Sequence, residues 1–214
     1  MSKPDKYVII CIPCTWTHVP LYFARSMFKA IADAAQKGYS MNMLWGRSPF
    51  IDISRDELFT NALAGEPDYA LFLDVDQTYQ VNIIDKLAQH IDAGALVVGG
   101  ITPHRGQGFP MAWDWNAETQ RFDIKRISPN TGLIKVGAMG FGGVMLSPKI
   151  ADRIPHPRFQ FGWDTGYQTR VGEDMMFFRR CLENGVDVFC DTSILNEHLD
   201  FAAVNLKLEE SRGE

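Results

Sequence analysis

The chain has 214 residues, 46% of them hydrophobic and 22% charged, and its 21 Lys and Arg against 26 Asp and Glu give a net charge of −5. This length and apolar fraction exclude wholesale disorder and predict one globular domain over residues 1–214. The acidic excess argues against a dedicated nucleic-acid-binding surface, and no apolar run approaches the ~18 residues of a membrane span. The polar N-terminus has no signal-peptide layout, so we expect a cytoplasmic protein without a membrane span.

The first hundred residues alternate short apolar runs with helical patterns. Strands are predicted at 7–12, 40–45, 69–73 and 95–98, and helices at 20–37, 54–64 and 81–93, the second helix being capped by Ser54 with Glu57. This alternation predicts an α/β fold, with a parallel sheet covered by helices and ligands bound at the carboxyl ends of its strands. Pro13-Cys14-Thr15 and Asp74-Val75-Asp76 stand at two such ends, and we expect them to be neighbours in space.

The second half is richer in loops. A hairpin is predicted at 111–115 and 121–125, an aromatic-rich loop at 155–171, a helix at 173–184 and a last strand at 186–190. A glycine-rich segment surrounds Phe141, with glycines at 137, 140, 142 and 143. The pattern therefore indicates one domain with a sheet-based first half and a loop-rich second half.

Cys11 and Cys14 form a CxxC at the end of the first strand, a spacing used by redox pairs and zinc sites. A zinc site of this type would need a second closely spaced cysteine pair, but Cys181 and Cys190 lie nine residues apart. We therefore prefer the interpretation that the first pair are small residues beside a tight turn.

Asp74 and Asp76 follow a fully apolar strand. A DxD arises about once by chance in a chain of this composition, so its context decides its meaning. Two carboxylates at the end of a buried strand are costly unless they serve a cation or a ligand, and adjacent like charges favour a metal. The alternative is a polar strand end in solvent.

Two later groups carry weaker signals. Glu173 and Asp174 open an apolar helix, where the helix dipole alone favours acids, although such a carboxylate also suits a general base. His198 follows the last strand, and an imidazole together with carboxylates is a normal ligand set for Mn²⁺.

Basic and aromatic side chains near predicted strand ends or in loops are candidates for ligand contacts. The basic side chains could contact phosphates. The aromatic rings could stack on sugars or nucleobases, although core packing is the commoner role for aromatic rings. These residues are Arg47, Arg55, His104 and Arg105, and Trp113, Trp115, Phe161, Trp163 and Tyr167.

Taken in order, these pieces resemble a nucleotide-sugar glycosyltransferase of the GT-A fold, most like glycosyltransferase family 2. The resemblance spans about Tyr7 to His198, and its most specific part is an acidic pair opening a helix, a closing Gly, a short strand and a His. The matching segments are IICIPCTWTHVP, DYALFLDVDQTY, VGAMGFGGVMLSP, GEDMMFFRRCLENGVDVFCD and the late EHL.

The resemblance implies a GT-A-like, Rossmann-type fold, in which a mostly parallel sheet is flanked by helices. Residues about 1–100 would form the nucleotide-binding half, and about 101–214 the loop-rich acceptor and catalytic half. The implied activity is a metal-dependent transfer of a hexose from a UDP- or GDP-sugar to the hydroxyl of an unidentified acceptor, with inversion at the anomeric carbon.

The same resemblance assigns roles to individual residues. Asp174 would be the catalytic base with Glu173 nearby, and Mn²⁺ or Mg²⁺ would be ligated by Asp74, Asp76 and His198. Trp163 and Tyr167 would bind the acceptor. The donor would be bound by Pro13, Thr15, Arg55, Asp74, Asp76, Gly142 and Gly143.

The chain also departs from this family. It is short, with little beyond His198, so we expect no separate acceptor domain or membrane anchor. In this family an acidic residue after the second strand often recognises the nucleobase. No such residue is obvious here, because Trp45, Gly46 and Arg47 occupy that region.

Two alternatives stay open. LFLDVDQT also fits the first motif of haloacid-dehalogenase-like phosphatases, with Asp74 as nucleophile and Asp76 as acid/base. That motif normally opens its fold, and here the late GED lacks a further acid where Phe177 or Phe178 stands. A non-catalytic sugar- or nucleotide-binding module on the same fold is the other alternative, and the presence of Asp174 argues against it.

Overall fold

The structure, a computed structural model, describes residues 6–14, 18–105, 108–164 and 168–199. Within these ranges the α-helices are α1 (Leu21–Gln36), α2 (Ile51–Ala64), α3 (Ile83–Asp92) and α4 (Glu173–Glu183), with a 3₁₀ helix at Pro148–Asp152. The strands are β1 (Lys6–Ile12), β2 (Tyr39–Trp45), β3 (Tyr69–Phe72), β4 (Gln77–Thr78), β5 (Val97–Ile101), β6 (Ala112–Asn116), β7 (Arg121–Ile124), β8 (Leu133–Val136), β9 (Ala138–Met139), β10 (Val144–Leu146), β11 (Gly162–Asp164), β12 (Thr169–Val171), β13 (Val188–Leu195) and β14 (Glu197–His198).

A seven-stranded sheet in the order β2-β1-β3-β10-β5-β13-β8 forms the centre of the described chain. β1 pairs in parallel with β2 and β3, and β13 pairs in parallel with β5. β10 runs antiparallel between β3 and β5, and β8 is an antiparallel edge. The sheet is therefore mostly parallel, as expected, but the glycine-rich segment of the second half inserts a reversed strand into the first half's sheet.

Strand alternation divides the core into two layers, because successive side chains of a strand point to opposite faces. Val8 and Ile10 of β1 pack in the layer that holds α1 and α3, whereas Ile9 and Cys11 pack in the layer that holds α2 and α4. Helices thus cover both faces of the sheet, which the alternating sequence pattern predicted.

Phenylalanines anchor the loop-rich second half on one face of the sheet. The Phe141 ring centroid lies 5.2 Å from Phe72 of β3, 5.0 Å from Phe159 and 5.2 Å from Phe177 of α4. These edge-on contacts hold the start of α4 close to the carboxyl end of β3.

Several element bounds differ from prediction. α2 begins at Ile51, so Ser54 is buried within the helix and is not its cap; Asp52 supplies the first-turn acid that the dipole favours. The predicted loop at 155–171 contains the β11–β12 pair, and the last long strand runs from Val188 to Leu195. The predicted hairpin is confirmed as β6–β7.

The four cysteines are buried. Burial raises the pKa of Cys11 and Cys190 to about 12, so these thiols remain protonated near neutral pH. Separately, no helix in the described part of the chain is long and apolar enough to cross a membrane.

Candidate active site

Two cavities meet at the carboxyl ends of β1 and β3. One, of about 330 Å³, is lined by Pro13, Cys14, Ser48, Pro49, Ile51, Ser54, Arg55 and residues 74–76. The other, of about 360 Å³, is lined by Arg55, Asp74, Asp76, Gln77, His104, Arg105, Met111, Gly140, Phe141, Glu173, Asp174 and His198. The segments predicted to be neighbours do meet, and Arg55, Asp74 and Asp76 are common to both cavities.

A buried arginine joins the DxD turn to the start of α4. Arg55 Nη2 donates to both carboxylate oxygens of Asp74, at 2.9 and 3.0 Å, and Nη1 donates to Glu173 Oε1 at 2.5 Å. Its guanidinium carbon lies 4.8 Å from the centroid of the Phe141 ring, and its side chain is only 6% exposed. Arg55 lies within α2 with both ends of its guanidinium bound to carboxylates, and its predicted donor contact stays a prediction.

The arginine that binds Asp76 is exposed, unlike the buried Arg55. Asp76 pairs with Arg105, whose side chain is 56% exposed. Burial raises the pKa of Asp76 and neighbouring Asp74 adds to the rise, while Arg105 and His198 act against it. An incoming positive charge would therefore be favoured beside Asp76.

Hydrogen bonds determine which nitrogen of His198 can bind a ligand. β14 pairs with β4, so that His198 lies opposite Gln77. Nδ1 lies 2.6 Å from the Pro103 carbonyl oxygen and must donate to it, while Nε2 lies 3.3 Å from the Gln77 amide nitrogen and accepts from it. The ring is therefore in the tautomer whose lone pair is on Nε2, and a metal bound to this nitrogen would replace the hydrogen bond from Gln77.

The residues present fit a divalent cation. Asp76 and His198 line one cavity, and their carboxylate and imidazole are ligand types that suit Mn²⁺ once it replaces their contacts with Arg105 and Gln77. Asp74 is held at both oxygens by the buried Arg55. Four carboxylates against two arginines leave this cavity with two excess negative charges. Within the described ranges, no three His, Cys, Asp or Glu side chains form a preassembled metal site, so a bound cation would need further oxygen ligands from a donor or water.

The two acids at the start of α4 have different surroundings. Glu173 is buried and bound to Arg55; burial raises its pKa, and Arg55 acts against that rise. Asp174 lines the cavity, and its Oδ1 accepts a hydrogen bond from the Met175 N–H at 2.7 Å. A side chain at position 172 would crowd this carboxylate, because a Cβ there would lie 2.6 Å from Oδ1. Asp174 is thus the acid of the pair that is available to a substrate.

Gly142 and Gly143 lie behind the cavity rather than on it. A Cβ at Gly142 would lie 2.2 Å from the Gln77 side-chain amide, and Gly143 adopts a φ of +79° against Asn196. Asn196 Nδ2 in turn donates to Thr102 Oγ1 and to the Gly142 carbonyl, each at 3.2 Å. The two glycines therefore make room for a buried polar network below the DxD turn, and their donor contact stays a prediction.

The Gln77 and Asn196 side chains of this network were missed by sequence reasoning. Their signals were a glutamine directly after the DxD and an asparagine directly before the late Glu-His pair. Both are buried and both bond to Thr102 Oγ1, and Gln77 also contacts His198 Nε2.

Replacing Gly142 by Ala is expected to destabilise the fold by about 1–3 kcal/mol, because the added methyl overlaps a buried amide that cannot move freely. The matched control is Gly140→Ala, whose methyl would overlap the flexible end of Met111 and otherwise make ordinary contacts at 3.4 Å or more. Urea unfolding of both variants measures the difference, and equal losses would show that the Gln77 network is not the cause.

The remaining predicted residues are placed as follows. Pro13 lines the first cavity, as expected. Trp163 lies on β11 with 62% of its surface exposed and lines neither cavity, so its acceptor role remains a prediction. Thr15 and Tyr167 lie outside the described residues.

The sheet order, the flanking helices and the site at the carboxyl edge define a GT-A-like, Rossmann-type fold. No family model and no curated protein matches the chain.

Solved structures do match it. The chain is similar to A197 from STIV, with a TM-score of 0.62 and 16% identity over 91% of this chain and 86% of that one. It is also similar to GalNAc-T7, solved with UDP, GalNAc and Mn²⁺, with a TM-score of 0.54 and 11% identity over 94% of this chain. The match spans 45% of the GalNAc-T7 chain. At these identities the likeness establishes the fold alone.

Proposed function

We propose that the chain is a glycosyltransferase, as its resemblance to family 2 implies, moving a sugar from a nucleoside-diphosphate donor to an acceptor hydroxyl. The observation that carries this proposal is the meeting of Asp76, His198 and Asp174 in one cavity at the carboxyl edge of the sheet. The GT-A-like fold, shared with a GalNAc-T7 structure that holds UDP and Mn²⁺, supports it.

The donor, a UDP- or GDP-sugar, would lie across the two joined cavities, with its nucleoside in the first, against Pro13, and its diphosphate near Asp76. Asp76 and His198 Nε2 would hold Mn²⁺ or Mg²⁺, which when bound neutralises charge on the departing diphosphate. Arg105 would leave Asp76 and bind the diphosphate, because the ion pair between Arg105 and Asp76 is exposed.

Asp174 would act as the base. The acceptor oxygen attacks the anomeric carbon as the bond from that carbon to the diphosphate breaks, and the hydroxyl proton passes to the Asp174 carboxylate. Direct displacement inverts the anomeric carbon. Glu173, held by Arg55, would position Asp174 by fixing the first turn of α4.

The phosphatase alternative requires Asp74 as a free nucleophile. Both oxygens of Asp74 instead accept hydrogen bonds from Arg55, and β3 is the third strand along the chain, not the first. These observations favour the transferase.

A thermal-shift panel tests the proposal, with UDP, GDP, CDP and UDP- or GDP-sugars, each with and without Mn²⁺. A ligand at about a hundred times its dissociation constant adds about 2.7 kcal/mol of stability. We expect a metal-dependent rise with one nucleotide that Asp76→Asn removes and the exposed control Asp187→Asn keeps. Stabilisation by a phosphate mimic with Mg²⁺ and by no nucleotide would instead support the phosphatase.

A further inference from the structure

Large apolar side chains are exposed mainly in one part of the described chain. Seven of the thirteen such residues fall between positions 21 and 53. They are Leu21, Tyr22, Phe28, Met43, Trp45, Phe50 and Ile53, and we call them the rim surface. Such a concentration differs from the singly scattered apolar residues of an ordinary protein surface.

Helical spacing places part of the rim surface on the outer face of α1. The buried residues of α1 are Phe23, Met27, Ala30 and Ala34. Leu21 and Phe28, seven residues apart, lie on the opposite face and are 77% and 60% exposed. This helix is therefore apolar on both sides, although only one side has the sheet to pack against.

Strand register extends the surface across β2. Met43 pairs with Ile10 and Trp45 with Ile12, so each pair projects to the same face of the sheet. Ile10 and Ile12 pack in the layer of α1, so Met43 and Trp45 lie on the α1 side of the edge strand. The exposed side chains of the edge strand thus point to the same face of the sheet as that covered by α1.

The rim surface borders the first cavity. α1 and α2 both begin at the carboxyl edge of the sheet, where β2 ends at Trp45. Phe50 and Ile53 of this edge flank Ile51, which lines the cavity. A partner bound to the rim surface would therefore sit beside the opening of the donor pocket.

The unpaired charges on the α1 part of this surface are basic, whereas α2 contributes the acids Asp52 and Glu57. Arg25 and Lys29, one helical turn apart on α1, and Arg47 after β2 are exposed, and none forms an ion pair with a residue that the structure describes. Asp33, the acid of α1, is paired with Lys37. Exposed apolar and aromatic residues beside unpaired cations are the combination with which amphipathic helices bind anionic bilayers.

We propose that the rim surface docks the protein on an anionic lipid bilayer, with α1 lying in the interface and the donor cavity at its edge. Docking itself is independent of the proposed function. Only its consequence, that the acceptor is borne by the membrane, rests on that function.

Vesicle flotation of the full chain tests the docking. The vesicles are phosphatidylcholine alone, or phosphatidylcholine with about one third phosphatidylserine. We expect binding to the anionic vesicles, and at least about a tenfold loss in the exposed-site variant Leu21→Gln/Phe28→Gln. Arg25→Gln/Lys29→Gln is expected to lose about 30-fold on the anionic vesicles, since each cation near such a surface contributes about fivefold.

The matched control is Ile124→Gln/Leu182→Gln, which removes exposed apolar residues elsewhere and should bind as the wild type does. Absence of binding to either vesicle, or equal loss in the control, overturns the proposal. So does a wild-type dimer that Leu21→Gln/Phe28→Gln converts to monomer in light scattering, since a second copy would then cover the surface. Nucleotide-dependent stabilisation of Leu21→Gln/Phe28→Gln reports separately on the proposed transferase.

Discussion

Replacing Asp174 by Asn is expected to lower the rate of sugar transfer by about 10²–10⁴-fold, the usual contribution of a general base. The amide keeps the size of the side chain and its hydrogen bond from the Met175 N–H, but it cannot take the acceptor proton. Stabilisation by the donor nucleotide should remain, because Asp174 is not among the residues assigned to nucleotide binding. Turnover of the stabilising donor, measured as release of nucleoside diphosphate, gives the rate.

The matched control is Glu183→Gln at the opposite end of α4, which removes an exposed acid far from the cavity and should leave turnover unchanged. If Asp174→Asn keeps its full biological activity while nucleotide still binds, the protein is a binding module on a GT-A-like fold.

Arg55→Leu is expected to destabilise the fold by about 3–5 kcal/mol, because removing one partner of a buried ion pair leaves the other charges uncompensated. Glu173 would be left buried without its cation, and Asp74 would lose a bidentate contact. Denaturant unfolding measures the change in the free energy of unfolding.

Arg179→Leu is the matched control, because its pair with Glu183 is exposed and such pairs contribute about 0–1 kcal/mol. Changing the partner as well, in Arg55→Leu/Glu173→Leu, should restore part of the lost stability. Similar losses in Arg55→Leu and Arg179→Leu would contradict the structural role assigned to Arg55.

The first half of the fold could be predicted because local patterns determine it. β1 and β3 are apolar runs and α1 is amphipathic. Each of these elements, together with β2 and α2, lies within three residues of its predicted bounds. β10 could not be predicted in the same way. Its place between β3 and β5 depends on long-range pairing, which short strands such as Val144–Leu146 do not encode.

Four residues of the candidate site could be predicted, because their residue types limit the roles that they can have. Asp74, Asp76, Asp174 and His198 are polar groups at element ends, and the fold brings all four to one cavity. The burial of Arg55 was not predicted, because an arginine within a helix is usually exposed and only the tertiary structure places it between Asp74 and Glu173. The contacts of Gly142 and Gly143 with Gln77 and Asn196 were not predicted, because a glycine permits close approach without identifying the group that approaches.

The two arginines at the DxD turn differ in burial and in the aspartate that they bind. Arg55 is buried and holds Asp74 to the start of α4, whereas Arg105 is exposed and pairs with Asp76. In the proposed transferase, Asp74 is a structural acid and Asp76 is the acid that a cation can reach. Asp74→Asn should therefore lower stability, and Asp76→Asn should mainly lower metal-dependent donor binding.

The most direct test of the proposed function is a crystal structure with the stabilising nucleoside diphosphate and Mn²⁺, analysed by anomalous scattering from manganese. The transferase proposal predicts a manganese peak in direct contact with Asp76 and His198 Nε2, with the diphosphate beside it and Arg105 released from Asp76. Nucleotide bound elsewhere, or manganese absent from these two side chains while the Arg105–Asp76 pair stays intact, would contradict it.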